Sequence, residues 1–191
     1  MIGYALCGSF CTHRDSLEAL KQIASTNNVL PIVSFNAGSL DTRFGTAKDL
    51  LDNLEAITGN SVISTIEDAE PLGPKIKLDG LIIAPCTGNT LAKLASGITD
   101  TPVTMAAKAH LRSNRPLVIT LASNDAMSAN LSNIGKLLNR KNVFFVPMIQ
   151  DDPRNKPHSL VADFNLICET YEGAVKGEQI RPIFIESKAG R

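Results

Sequence analysis

Leu81-Ile82-Ile83-Ala84-Pro85-Cys86-Thr87-Gly88-Asn89-Thr90-Leu91-Ala92-Lys93-Leu94-Ala95 is the stretch that decides the fold. Leu81 to Ala84 are apolar without alternation, the pattern of a strand buried on both faces of a parallel sheet. Pro85 cannot donate to a ladder, so the strand is expected to end there. Thr87, Gly88, Asn89 and Thr90 form a small polar loop, and Leu91 to Ala95 open a helix. A helix start carries unpaired N–H groups and the positive end of the dipole, which together suit a phosphate.

The amino-terminal segment repeats this design. Ile2 to Cys7 is strand-like, Gly8-Ser9-Phe10-Cys11-Thr12 is a loop, and Ser16 to Ile23 is helical, with Leu17, Leu20, Ile23 and Ala24 on one face. Gly8 permits a tight turn and Ser9 offers a hydroxyl. Neither a G-x-G-x-x-G nor a G-x-x-x-x-G-K-[ST] motif is present. The second apolar run, Val29 to Phe35, offers Ser34 where a dinucleotide fold would place a ribose-binding acid. Each loop alone also reads as an ordinary strand-to-helix turn. Their pairing favours a phosphate site.

The chain has 191 residues, which fits one domain spanning 1–191. It is 43% hydrophobic and 20% charged, a globular rather than disordered balance. Net charge is zero and no basic stripe is present, so nothing supports nucleic-acid binding. Apolar runs are far shorter than a membrane span, and Met1-Ile2-Gly3-Tyr4 already belongs to the first strand rather than to a signal peptide. The cysteines (Cys7, Cys11, Cys86, Cys168) and histidines (His13, His110, His158) have no metal-site or C-x-x-C spacing, which points to a reduced, cytosolic protein without metal. Cys86 lies in the proposed site but reads as a small packing residue rather than a nucleophile.

Apolar runs alternate with helical stretches throughout. Strands are expected near 2–7, 29–35, 80–84, 116–121 and 143–147, with a weaker one near 61–64. Helices are expected near 14–26, 46–57, 89–96, 102–112, 126–139 and 159–174. This order predicts a Rossmann-like, doubly wound parallel α/β sheet with helices on both faces. Pro71-Leu72-Gly73-Pro74 marks a turn, Asp151 to His158 is the longest polar loop, and Pro182 to Glu186 is apolar enough to dock before the last residues fray. In a doubly wound order the first and third long strands are neighbours at the switch point. The Gly8 loop, the Thr87 loop and Ser34 would then converge on one ligand.

Pro85-Cys86-Thr87-Gly88-Asn89-Thr90, with Lys93, Ala95, Gly97 and Asp100, resembles the P-A-S/T-x-N-T-x-x-K-x-A-x-G-x-x-D motif of the homo-oligomeric flavin-containing cysteine decarboxylases. That flavoprotein family includes phosphopantothenoylcysteine decarboxylase and the flavin prenyltransferases. Gly8-Ser9 looks like its first flavin-phosphate loop. Ala122-Ser123-Asn124-Asp125-Ala126-Met127 resembles its P-x-M-N-x-x-M segment, with Asn124 and Met127 in register. One branch is more similar still, the dipicolinate synthase B subunits. It is carried by Thr42-Arg43-Phe44-Gly45, Ala69 to Lys75, Ser123 to Ala126 and Gln150-Asp151-Asp152-Pro153, over nearly the whole chain.

The resemblance implies FMN, held by Gly8, Ser9, Phe10, Ser34, Pro85, Thr87, Gly88, Asn89, Thr90 and Ser123. It implies a bacterial cytoplasm, a homo-oligomer and a partner A subunit carrying NAD(P). The product would be pyridine-2,6-dicarboxylate, the dipicolinate of spores, made from a small dicarboxylate precursor, dihydro- or tetrahydrodipicolinate. Asn124 would serve catalysis by hydrogen-bonding the flavin edge or a substrate carboxylate. It reads equally as the N-cap of a helix beginning at Asp125. Arg43, Arg154 and Lys156 are candidates for the substrate carboxylates, with solvated surface charge as the alternative. The loop from Gln150 to His158 reads as a lid over the flavin and equally as a plain surface connection. The decarboxylases carry a histidine upstream of the P-A-S loop. Here that region is near Glu70-Pro71, and the motif's proline and methionine are Leu121 and Ser123. Three functions stay open: a flavin-dependent oxidoreductase subunit, a non-catalytic flavin-binding or stabilising partner of the A subunit, and a flavin-dependent decarboxylase or prenyltransferase.

Overall fold

The computed structural model describes residues 1–73 and 75–186. Five strands form its parallel core: β1 (Ile2–Leu6), β2 (Val29–Val33), β3 (Gly80–Cys86), β4 (Leu117–Ser123) and β5 (Val143–Phe145). β1 lies between β2 and β3, and β4 pairs with β3 and β5. Every residue of β1, β3, β4 and β5 is buried, as expected for strands covered on both faces. The helices are α1 (His13–Ala24), α2 (Phe35–Ser39), α3 (Ala47–Thr58), α4 (Ile66–Ala69), α5 (Gly88–Ser96), α6 (Pro102–Leu111), α7 (Leu131–Leu138) and α8 (Ile167–Val175). α1 packs beside α3 and α8, and α6 packs beside α4 and α5, with α7 against α5. The buried apolar residues make one cluster, with Tyr4 and Phe145 its largest fully buried side chains. No helix among the described residues is long and apolar enough to cross a membrane.

The sheet is mixed rather than wholly parallel. The first half of β4 runs beside β5, while its end, Ala122 and Ser123, pairs antiparallel with β7 (Leu160–Ala162). β7 pairs antiparallel with β6 (Met148–Ile149), which in turn takes up β8 (Phe184–Ile185). The helix expected over 159–174 is therefore α8 alone. Leu160, Val161 and Ala162 alternate in burial and form a strand, and the Asp163 side chain then accepts from Asn165 N to open a 3-10 turn. β8 accounts for the docking of the apolar carboxyl-terminal segment; residues 187–191, expected to fray, lie outside the described residues, as does Pro74 of the expected turn.

Other expected boundaries shift for local reasons. β3 continues through Pro85 to Cys86 behind a cis Ala84–Pro85 bond, with a register shift between Ile83 and Cys86. A proline without an N–H is tolerated at such a bulge, and its carbonyl accepts from Cys7 N at 3.0 Å. The Ala84 carbonyl is served by the Ser16 hydroxyl at 2.5 Å, and Ser16 itself meets the Tyr4 hydroxyl. The strand expected near 61–64 shrinks to a bridge between Ile32 and Ile63. The helix expected over 126–139 starts only at Leu131, because residues 124–130 wrap around Asp125, whose carbonyl accepts from Ser128 N and Asn130 N. α2 and α4 were not expected.

His110 on α6 is fully buried and its Nε2 bonds the Pro116 carbonyl at 2.9 Å, while Nδ1 has no partner among the described residues. A carbonyl only accepts, so Nε2 carries the proton and the ring is neutral. Burial pushes its pKa below the ordinary histidine value. Protonation would bury an N–H without an acceptor, a cost of about 1–3 kcal/mol. The unfolded chain then binds more protons than the folded one, so this contribution to stability is complete above pH about 6.5 and is lost as pH falls toward the folded pKa. His13 acts in the same direction. His110→Gln, which keeps a donor for Pro116, should flatten the acid limb between pH 6.5 and 5 in urea unfolding. A limb as steep as in the wild type would contradict this reading.

Candidate functional site

The carboxyl ends of β2, β1, β3 and β4 form one edge, and the small polar residues lie along it. Cys7 N donates to the Pro85 carbonyl, and the Thr90 hydroxyl donates to Cys7 Sγ at 3.3 Å, which ties the Gly8 loop to the Thr87 loop. Ser34 N donates to the Leu6 carbonyl at 2.9 Å, bringing the turn after β2 alongside. The sequence-derived residues Gly8, Ser9, Phe10, Ser34, Pro85, Thr87, Gly88, Asn89, Thr90, Ser123 and Asn124 thus belong to adjacent loops.

Their hydroxyls have different employments. Thr87 caps α5, accepting from Thr90 N at 3.3 Å, and Ser34 caps α2, accepting from Ala37 N at 3.3 Å. Ser9 precedes a short 3-10 turn (Phe10–Thr12), and its side chain makes no cap bond there. The N–H groups of Gly8, Phe10 and Cys11 find no acceptor among the described residues, and neither do those of Gly88 and Asn89. Backbone donors in the Gly8 loop ahead of α1 and at the start of α5, together with the Ser9 hydroxyl, are the donor set that an anion requires.

The end of α5 explains the rest of its motif. Gly97 closes the helix in the left-handed region at φ 73°, and Lys93 Nζ reaches Asp100 across that turn at 2.8 Å. Lys93, Gly97 and Asp100 serve helix termination. Cys86 is fully buried, and burial pushes its thiol well above the ordinary range; Cys7 is pushed up to about 11 for the same reason. Both are packing thiols at pH 7.

Asn124 is exposed at the end of β4 and caps no helix, so the N-cap reading is set aside: residues 124–130 are turns and α7 begins later. The three cations do not gather. Arg43 lies in the loop after α2 with its guanidinium 4.9 Å from the Phe44 ring centroid. Arg154 and Lys156 lie beyond β6, and Lys156 pairs with Asp151 at 3.4 Å. The loop bearing them is anchored near Asn124, because Met127 N donates to the His158 carbonyl at 2.9 Å.

Sequence reasoning passed over His13 and Asp125. His13 opens α1, its Nε2 lies 2.8 Å from the Cys7 carbonyl, and burial pushes its pKa down. With Cys7 O as acceptor, Nδ1 remains as an acceptor for another group. His13, with Phe10 and Cys11 of the Gly8 loop and Thr42 and Phe44 of the loop after α2, lines a cleft of about 380 Å³ between α1 and α3. Asp125 accepts from the Ser123 hydroxyl and, at 3.0 Å to each carboxylate oxygen, from Asn130 Nδ2. The spacing Ser123-x-Asp125, with asparagines at 130 and 133, was the available signal.

A model of the Flavoprotein family matches residues 12–180. The chain is 44% identical over 190 residues to the dipicolinate synthase B subunit of Bacillus subtilis, covering 99% of this chain and 95% of that one. The crystal structure of the dipicolinate synthase B subunit from Bacillus halodurans superposes with a TM-score of 0.89 at 39% identity, over 97% of this chain and 96% of that one. A dodecameric FMN-dependent UbiX-like decarboxylase from Escherichia coli O157:H7 shares the fold, with a TM-score of 0.60 at 23% identity over 77% of this chain and 80% of that one. The chain belongs to the Flavoprotein family and, within it, to the group of dipicolinate synthase B subunits.

Proposed function

We propose that this chain binds FMN and is the flavin subunit that oxidises dihydro- or tetrahydrodipicolinate to dipicolinate together with an A subunit. The observation that carries it is the pair of adjacent loops at Gly8 and Thr87, with their free backbone donors and the Ser9 hydroxyl. It is supported by the family and by the FMN dependence of the Escherichia coli relative of the same fold. The N–H groups of Gly8, Phe10 and Cys11 and the Ser9 hydroxyl take the phosphate, the Ser9 N–H being held by the Cys7 carbonyl. Neighbouring strands stand roughly 4.8 Å apart, so two strand spacings carry a ligand from the Gly8 loop to Asn124. FMN supplies hydride acceptance when bound. Asn124 donates its amide to the flavin edge or to a substrate carboxylate, and Arg154 and Lys156 approach the second carboxylate on a closing 150–158 loop. Arg43 remains a candidate at the other end of the edge.

Ser34 stands where a ribose-binding acid would serve a dinucleotide, so the NAD(P) that finishes the electron transfer belongs on the A subunit. Mixing chain, A subunit, NAD(P) and precursor should give the pyridine product by its ultraviolet absorbance. If the A subunit alone gives the same rate, the chain is a binding partner and not part of the catalyst. No carbon dioxide should leave peptidyl or pantothenoyl cysteine, since no histidine lies near Glu70-Pro71 and His13 is engaged with Cys7; release of the gas would overturn this. Exposed Phe35, Leu40 and Phe44 (46%, 47% and 54%) favour self-association, which sedimentation tests: a concentration-independent monomer would exclude it.

A further inference from the structure

We propose that Asp125 is a positioning residue that fixes a negative charge at the ring end of the site and aims Asn124; this rests on the FMN reading above. Asn133 Nδ2 donates to Asn130 Oδ1 at 3.0 Å, Asn130 Nδ2 donates to both Asp125 oxygens, and the Ser123 hydroxyl donates to Oδ1. Ser123 and Asn130 are buried, at 9% and 5% exposure, whereas Asp125 is not. The carboxylate is therefore held from below by a closed set of donors and faces outward.

The clamp presses on the start of α5. A Cβ built on Gly88 would lie 2.6 Å from Ser123 Oγ and 2.7 Å from both Asn130 Nδ2 and Asp125 Oδ1. Such contact fixes the carboxylate beside the first turn of α5, where the helix dipole favours its charge. The hydrogen bond from Ser123, aided by Asn130, holds its pKa below the ordinary carboxylate range. Asp125 is thus ionised at pH 7. The next residue back is Asn124, whose backbone is carried between the clamped Ser123 and Asp125.

A fixed negative charge at one end of the crevice orders what binds there. The phosphate is directed to the Gly8 loop, and of the two partners proposed for Asn124 the Asp125 charge favours the flavin edge over a substrate carboxylate. Reduction of a flavin adds electrons and negative charge, so Asp125 should favour the oxidised form. At an effective dielectric constant near 20, a unit charge within roughly 10 Å of the ring would change the affinity ratio by about tenfold or more.

The test uses the full-length chain and measures dissociation constants for oxidised and reduced FMN in the wild type, Asp125→Asn and Ser123→Ala. Asp125→Asn keeps the shape and removes the charge, and should raise the affinity for reduced relative to oxidised FMN about tenfold. Ser123→Ala keeps the charge and loosens the clamp, and should weaken both forms a few-fold while leaving their ratio unchanged. An unaltered ratio in Asp125→Asn overturns the proposal, as does a Ser123→Ala ratio that moves equally. If Asp125→Asn does not fold, Ser123→Ala decides: a shifted ratio overturns the proposal, and an unshifted ratio with weaker binding supports it. A wild type that binds neither form overturns the FMN reading and this inference with it, whereas a wild type that binds normally beside an unaltered variant overturns only the inference.

Discussion

Gly88→Ala should abolish measurable FMN binding at micromolar concentrations and lower the melting temperature by on the order of 10 °C. The added methyl would meet Ser123 Oγ, Asn130 Nδ2 and Asp125 Oδ1 at 2.6–2.7 Å, closer than Cβ atoms come in real proteins. Relief requires α5 to lift or the Asp125 clamp to open. Overpacking costs roughly 1–3 kcal/mol, and breaking hydrogen bonds to a carboxylate adds about 1.5–3 kcal/mol. Gly135→Ala is the matched control. Gly135 lies inside α7 with open space around its Cβ position, so alanine should stabilise by up to about 1 kcal/mol through helix propensity. The two alanines should therefore move the melting temperature in opposite directions. A Gly88→Ala protein with wild-type melting and FMN affinity would show that the cluster does not press on α5.

Ser9→Ala should weaken FMN binding by about 1.5–3 kcal/mol, the worth of a hydrogen bond to a charged acceptor, and leave the melting temperature of the ligand-free chain unchanged. The Ser9 side chain makes no hydrogen bond among the described residues, so its loss is felt by a ligand rather than by the fold. Thr87→Ala should show both effects. Its hydroxyl accepts from Thr90 N and donates to Thr90 Oγ1 at 3.2 Å, so its removal costs about 1 kcal/mol of helix capping and loosens the loop that positions Gly88 and Asn89. Calorimetry on ligand-free protein and fluorescence titration with FMN separate the two. Equal melting losses in both variants would place Ser9 in the fold rather than in the site.

The parallel core and the convergence of the Gly8, Ser34 and Thr87 loops were legible because uniform apolar runs and strand-to-helix loops are local signals. What was not legible depended on distant partners. Leu160-Val161-Ala162 is too short to declare itself a strand, and it becomes one only because the end of β4 and Met148–Ile149 offer edges. Pro85 reads as a stop from its missing N–H, yet the bulge and the Ser16 and Cys7 bonds carry the strand past it. Asp125 was passed over because its character comes from Ser123, Asn130 and Gly88, which meet only in three dimensions. Arg43, Arg154 and Lys156 were chosen by their charge and by the loops that bear them, and neither carries information about where a long exposed side chain settles.

In the proposed function, backbone donors and the Ser9 hydroxyl at the Gly8 loop hold the phosphate of FMN. The most direct measurement is a fluorescence titration of the ligand-free full-length chain with FMN and with riboflavin, which has the same ring and no phosphate. FMN should bind at least about 100-fold more tightly, as two or more charge-assisted hydrogen bonds would provide, and Ser9→Ala should erase about tenfold or more of that difference. Equal affinity for the two flavins, or no binding of FMN at all, would contradict it.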